Sequence, residues 1–186
     1  MKKVLLIIIA LFLLCVNQAN ASSLNKYSDN GKIISALNVL ENIGSNDVFT
    51  RLDKSSTKII FYDLSLIDFS YAKHYAVAST DENGNNYILI NERYQSAPKE
   101  AIACLIAHES VHVLPRATLD EETRATIAET KTWIKLRNSV CIGSDNELVK
   151  RENKLANVYE SSISGENSIK ELIASNSFYQ QQLAMN

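Results

Sequence analysis

The feature that most restricts what this chain can fold into is an apolar segment at 101–113 that carries two histidines near its end. Ile, Leu and Val recur at helical spacing among alanines, so the pattern predicts a helix with one buried face. Pro98 suits the first turn of this helix, and Pro115 ends it soon after the second histidine. The end of the segment reads His-Glu-Ser-Val-His, at 108–112. Unpaired imidazoles are costly to bury, so the fold has to supply partners for them.

The spacing of the two histidines is typical of a zinc site. Residues four apart lie on one face of a helix, about 6 Å apart along its axis, so His108 and His112 can bind one Zn²⁺ through their ring nitrogens. Catalytic zinc sites take three protein ligands and a water. Glu109 adjoins the first ligand, where its carboxylate can accept the proton of that water and return it to a leaving amine. Two surface histidines on an amphipathic helix are the alternative, but two of only 3 histidines in the chain lie here.

A third ligand has to come from elsewhere in the chain, and side-chain type leaves five candidates: Asp120, Glu121, Glu122, Glu129 and His74. The four carboxylates lie on the next predicted helix, which begins at 119–122 and runs to Leu136. Glu121 is rotated about 100° from Glu122, so both cannot face the metal equally. Glu129 shares the face of Glu122 two turns on, where it could be a ligand, hold a ligand histidine or be a solvated charge. His74 is isolated before a strand and is expected at the surface.

Residues 108–112, followed by Glu-Thr-Arg-Ala at 122–125, resemble the gluzincin metallopeptidases. In that family the third ligand is a glutamate, in a Glu-x-x-Ala context, on the helix after the motif helix. The resemblance implies that His108, His112 and Glu122 are the zinc ligands and that Glu109 is the general base. Helix geometry makes Glu129 the second choice of third ligand and Glu121 the third. It covers about residues 86–135. Thr126 departs from the family pattern, which often has Asp or Asn there, so a hydrogen bond to a ligand histidine is expected from another residue.

The remaining patterns predict an α+β fold: a small antiparallel sheet packed on the zinc-binding helix pair, with additional C-terminal helices, which the resemblance makes zincin-like. The predicted strands are 58–62, 75–79 and 87–90, the last two joined by an Asn-Gly turn at 81–86, and the further helices are 33–43, 146–160 and 166–183.

Two features of the predicted site follow from the type of enzyme that the resemblance implies. Such zinc peptidases commonly present an exposed edge strand to an extended substrate, and 87–91 is the candidate here, although an ordinary paired strand fits the sequence as well. They also need a group that stabilises the oxyanion. Tyr159 and Arg124 are available for that role, and the sequence selects neither.

The N-terminus has the three parts of a secretory signal peptide: Met-Lys-Lys, an apolar run at 4–16, and a small-residue end at 19–21. The run is shorter than the ~20 residues that span a bilayer, which disfavours an uncleaved anchor. We therefore expect residues 1–21 to be a signal peptide cleaved after Ala21. Residues 22–186 are then a single secreted or periplasmic domain with no stable membrane span.

Charge and cysteine content narrow the partners of the exported part. The whole chain has a net charge of −2 and the leader removes two lysines, which leaves −4 and no basic stripe, so nucleic acid is not an expected partner. Cys104 and Cys141 remain after cleavage. A disulfide or two buried thiols is favoured over thiolate metal ligation.

The expected function is therefore hydrolysis of peptide bonds in a peptide or protein substrate, with Zn²⁺ as the cofactor. One alternative is a catalytically inactive, zinc-stabilised binding or scaffold protein of the cell envelope, against which the intact Glu109 argues. Another is a hydrolase of a different amide, such as cell-wall peptide cross-links.

Overall fold

The computed structural model describes residues 23–112, 118–139 and 145–176. The predicted leader, Cys141 and the end of the last predicted helix lie outside these residues. In chain order the longer elements are α1 (Gly31–Asn42), α2 (Asn46–Lys54), β1 (Lys58–Tyr62), β2 (Ala76–Thr80), β3 (Asn86–Asn91), α3 (Lys99–Glu109), α4 (Leu119–Leu136), α5 (Glu147–Glu160) and α6 (Gly165–Ser175). The α+β class is confirmed, and α2 is an element that the sequence patterns did not indicate. None of the described helices is both long and apolar enough to cross a membrane.

The sheet is mixed, so the prediction of an antiparallel sheet was wrong for one of its two pairings. Its three strands lie in the order β1-β3-β2, with β3 antiparallel to β2 and parallel to β1. The connection between β1 and β2 is long enough for these two strands to lie about 10 Å apart, which leaves room for one strand between them. The tight turn after β2 then sends β3 back into this gap. Because β1 and β2 run in opposite directions, the strand between them is antiparallel to β2 and parallel to β1.

Strand β3 is therefore the central strand, and the expectation that 87–91 forms an exposed edge was wrong. Its residues Ile88, Leu89 and Ile90 are all buried, as expected of a strand that is covered on both sides. The outer edge of β1 is partly covered, because the Ile59 amide donates to the Tyr27 carbonyl. Among the described residues no strand pairs with the outer edge of β2, which is the free edge of the sheet.

Helix α3 is the centre of the fold. It contacts α1, α4, β2 and β3, and every residue from Glu100 to Glu109 is buried. The predicted single buried face was therefore wrong, because the apolar side chains and alanines of this helix meet neighbours on all sides. Cys104, one of these residues, is a free thiol whose pKa is raised well above the usual value by burial. A thiol that stays protonated is a poor metal ligand.

Helix α3 also ends earlier than predicted, at Glu109, so that His112 lies beyond the helix. The amides of Val111 and His112 donate to carbonyls only three residues back, at 3.0 and 3.1 Å, which tightens the last turn. The Ser110 hydroxyl donates to the Ala107 carbonyl at 2.8 Å and satisfies one of the carbonyls at the helix end.

The C-terminal helices α4, α5 and α6 pack on one another, and α4 and α5 also contact α3. Helix α4 contacts α3, α5 and α6, and it carries Trp133, which is fully buried. The Trp133 indole N–H donates to Asn153 Oδ1 on α5 at 2.9 Å, so the ring is both packed and hydrogen-bonded.

Replacing Trp133 with Ala should lower the free energy of unfolding by about 3–5 kcal/mol, because it removes a large buried ring and leaves a cavity between α4 and the core. Urea denaturation measures this change. The matched control is Lys135→Ala on an exposed position of the same helix, which should change stability by no more than about 0.5 kcal/mol. Equal effects of the two substitutions would show that α4 is not docked through Trp133.

Candidate metal centre

The site lies where the C-terminal end of α3 meets the first turns of α4. Thr118 caps α4, because its hydroxyl oxygen accepts from the Glu121 amide at 3.1 Å. The helix begins at Leu119, directly after this cap. Glu121 and Glu122 therefore lie in its first turn, near its positive end. Although carboxylates are rarely buried, these two are only 8% and 6% exposed.

Three side chains converge at this junction: His108, His112 and Glu122. Their ligand atoms all lie within 4.8 Å of one another, and the cluster could hold a metal ion. The Nε2 atom of His108 is 3.8 Å from Glu122 Oε2, and the Nε2 atom of His112 is 3.7 Å from Glu122 Oε1. The structure thus brings together the three residues that the sequence predicts as ligands.

The other nitrogen of each imidazole is held by a second carboxylate. His108 Nδ1 is 3.0 Å from Glu129 Oε2, and His112 Nδ1 is 2.9 Å from Glu121 Oε1. A carboxylate can only accept, so each Nδ1 carries the proton and donates it. The neutral tautomer of each histidine then has its lone pair on Nε2, the atom that faces Glu122. Glu121 and Glu129, the runner-up candidates for third ligand, therefore contact the Nδ1 side of the histidines and lie outside the cluster that could hold a metal ion.

The donor set fits zinc. Two imidazole nitrogens and one carboxylate are a usual ligand set for a catalytic zinc ion, and ligand bonds of 2.0–2.2 Å at tetrahedral angles put donor atoms about 3.4 Å apart. The two N–O separations, 3.7 and 3.8 Å, are slightly longer than that spacing and too long for hydrogen bonds. Small movements of the Glu122 side chain would close the difference.

The ionisation of the site in the metal-free protein follows from this crowding of carboxylates. Burial by itself lowers the pKa of His108, but the carboxylates of Glu129, Glu109 and Glu122 outweigh it and raise this pKa to about 9. Burial raises the pKa of Glu122, an effect that the two histidines only partly offset. His108 therefore carries a proton on both ring nitrogens near neutral pH, and a metal that binds its Nε2 atom has to displace one of them.

Glu129 is ionised although it is fully buried. Burial alone would raise its pKa, but the guanidinium of Arg151 and the imidazole of His108 lower it well below the usual range. Arg151 lies on α5 and was not singled out from the sequence. A lone arginine on an amphipathic helix carries no signal of its own, and only the packing of α5 against α4 brings it to Glu129.

Glu109 is buried, with 7% of its surface exposed, and its carboxylate lies within electrostatic reach of His108 and Glu122. Its carboxylate is close enough to His74 to act on that imidazole, whose pKa is lowered by burial and partly restored by Glu109. His74 was expected at the surface, and the structure corrects this: it is half-buried, because Asn91 Nδ2 donates to its carbonyl at 3.0 Å and holds its loop against β3.

The other candidates lie away from the cluster. Asp120 is exposed and pairs with Lys170 at 2.8 Å. Arg124 is exposed, and Tyr159 packs in a separate apolar cluster with α6 residues. Neither of the two residues considered for the oxyanion contacts the ligand cluster.

Comparisons with protein-family models, with curated proteins and with solved structures find no match to this chain. The resemblance to the gluzincins therefore rests on the motif residues at 108–112 and 122–125 alone.

Replacing Glu122 with Gln should weaken zinc binding by more than about 100-fold, beyond the range seen when only a hydrogen-bond partner of a ligand is removed. Competition with a chromophoric chelator measures the affinity. Glu121→Gln, next to it on the same turn, should cost only about 10–100-fold, since it removes the partner of His112 and no ligand. Asp120→Asn, exposed and outside the cluster, should have no effect. The reverse ranking of Glu121 and Glu122 would exchange their roles.

Zinc binding should strengthen as the pH rises from about 6.5 to 8.5, by about tenfold per pH unit from the His108 proton alone, because the pKa of this group in the metal-free protein is about 9. Calorimetry in buffers of different ionisation enthalpy counts the protons released. In Glu129→Gln the largest of the interactions that raise the pKa of His108 is lost, so the pH dependence should move to lower pH. Binding that is independent of pH over this range would contradict the assignment of His108 as a ligand.

Proposed function

We propose that this protein is a zinc-dependent hydrolase of peptide bonds, of the gluzincin type. The observation that carries the proposal is the buried cluster of His108, His112 and Glu122 with Glu109 beside it in the chain. This arrangement has a full set of three protein ligands and an additional carboxylate that none of them uses. A purely structural zinc site has four protein ligands and needs no such carboxylate.

In this proposal each residue has one role. His108 and His112 would hold zinc through their Nε2 atoms, and Glu122 would hold it through a carboxylate oxygen. Bound zinc supplies Lewis acidity, which polarises a carbonyl and makes a neighbouring water acidic near pH 7. Glu109 accepts a proton on a carboxylate oxygen as the nucleophile attacks, and it returns this proton to the leaving amine.

The proposed substrate class rests on the resemblance and on one feature of the sheet. Strand β2, whose outer edge pairs with no strand of the described residues, contacts α3 and begins two residues after His74. His74 lies within electrostatic reach of Glu109. An extended peptide that adds to this edge would run past the site, held by backbone hydrogen bonds. The role first given to 87–91 thus passes to the neighbouring strand. If the leader at 1–21 is cleaved as predicted, the substrate is a peptide or protein outside the cytoplasm.

The test is Glu109→Gln, a nearly isosteric change that removes the proton acceptor and no zinc ligand. We expect it to retain one zinc per chain and to lose hydrolysis of casein or a fluorogenic peptide library by about 10²–10⁴-fold. Zinc content by elemental analysis and initial rates are the two measurements. Glu100→Gln, at the buried start of the same helix, is the matched control and should leave the rate unchanged.

The outcomes separate the proposal from its rivals. A wild-type protein that holds no stoichiometric zinc would overturn it. A protein that binds zinc, cleaves no peptide and unfolds when chelated would be the zinc-stabilised scaffold. Cleavage of cell-wall peptide cross-links but not of casein would keep the chemistry and replace the substrate.

A further inference from the structure

We propose that Arg151 is a positioning residue of the metal centre, which acts through Glu129 to fix the orientation of His108. This inference rests on the proposed metal site but concerns a residue outside the ligand set and outside the motif. Arg151 lies on α5, whereas all three ligand residues lie at the junction of α3 and α4. It reaches the site through one intervening side chain.

The contact between Arg151 and Glu129 is bidentate. The Nη1 atom of Arg151 donates to Glu129 Oε1, and its Nη2 atom donates to Glu129 Oε2 at 3.0 Å. The same oxygen, Oε2, accepts from His108 Nδ1 at 3.0 Å. The guanidinium therefore fixes the plane of the carboxylate, and the carboxylate in turn fixes the direction of the imidazole. A lysine has one charged nitrogen and cannot hold both oxygens in a plane.

Arg151 is itself held from two further sides. Its Nη1 atom donates to Glu152 Oε1 at 2.8 Å, and its guanidinium carbon lies 4.6 Å from the centre of the Tyr75 ring. Tyr75 stacks on Tyr94 with 5.2 Å between ring centres. A side chain that is held by a ring, a carboxyl and a carboxylate loses little further freedom when it orients a fourth group.

The charges in this chain of contacts also fit a positioning role. Glu129 and Glu152 are both fully buried and share one guanidinium. Burial and the nearby Glu129 raise the pKa of Glu152 well above its usual range, whereas Arg151 and His108 lower the pKa of Glu129, so Glu129 is the carboxyl of the two that favours the ionised form beside Arg151. Buried ion pairs contribute little to stability compared with apolar side chains of the same size. The pair is better explained by the orientation that it imposes.

A double-mutant cycle tests whether Arg151 acts through Glu129. We expect Arg151→Met to weaken zinc binding about tenfold in the wild-type background, at the low end of effects on the partners of a ligand. In the Glu129→Gln background the same substitution should change zinc affinity by less than about twofold, because the group that transmits its effect is missing. Equal losses in the two backgrounds would overturn the proposal.

Cobalt(II) gives a readout that a loss of general packing does not move. In Co²⁺-loaded protein we expect Arg151→Met to shift the visible absorption bands, which report ligand geometry, and Arg151→Lys to restore them only in part. The matched control is Arg137→Met, which removes an exposed ion pair with Glu160 at 2.5 Å between the ends of α4 and α5. It should leave the spectrum and the zinc affinity unchanged.

The remaining outcomes also test whether Arg151 has this positioning role. If Arg151→Met does not fold, the cycle is run with Arg151→Lys, whose smaller loss must likewise vanish in Glu129→Gln. A folded Arg151→Met with wild-type zinc affinity and spectrum would refute the positioning role while the proposed hydrolase stands. A wild-type protein that binds neither metal would refute both.

Discussion

The burial of α3 on all sides is the constraint on which the rest of the structure depends. An apolar helix in this position gives the core its centre, but its last two residues, His108 and Glu109, are polar and only 7% exposed. Burying a polar group without a partner costs roughly 2–7 kcal/mol, which is comparable with the whole stability of a domain. For His108, α4 supplies this partner, because Glu129 Oε2 accepts from His108 Nδ1 at 3.0 Å. The helix pair and the candidate metal centre are, in energetic terms, one feature.

Most of the fold was predictable from periodicity and turn chemistry. The apolar spacing in α1, α4 and α5 and the Asn-Gly turn between β2 and β3 gave those elements nearly at their observed positions. The order of the strands could not be predicted. The rule that strands adjacent in sequence pair with each other does not indicate when a later strand inserts between two earlier ones. One signal was available: 87–90 is a continuous apolar run, which is typical of a strand that is covered on both sides.

The candidate ligands could be predicted from the sequence, whereas the roles of the groups around them could not. Residues His108 and His112 are close in sequence, and Glu122 follows on the next helix, so local geometry and one resemblance were enough to nominate them. Which carboxylate faces the Nε2 atoms and which faces the Nδ1 atoms depends on the rotation of α4, and this is decided by packing of its whole length against α3. Arg151 and His74 were harder to assign to the site from the sequence. Arg151 lies on α5 and His74 in the loop before β2, and neither segment has a pattern that indicates which of its side chains approaches the end of α3.

The insertion of β3 between β1 and β2 sets an order of events during folding. The β2–β3 hairpin is local and can close within about 1–10 μs. Pairing of β1 with β3 joins residues such as Ile59 and Ile88, which are far apart along the chain, so it carries the larger loop-closure entropy and comes later. Until it does, the inner edges of β1 and β3 are exposed templates for pairing with other chains. We expect this interval to be the stage of folding that is most prone to aggregation.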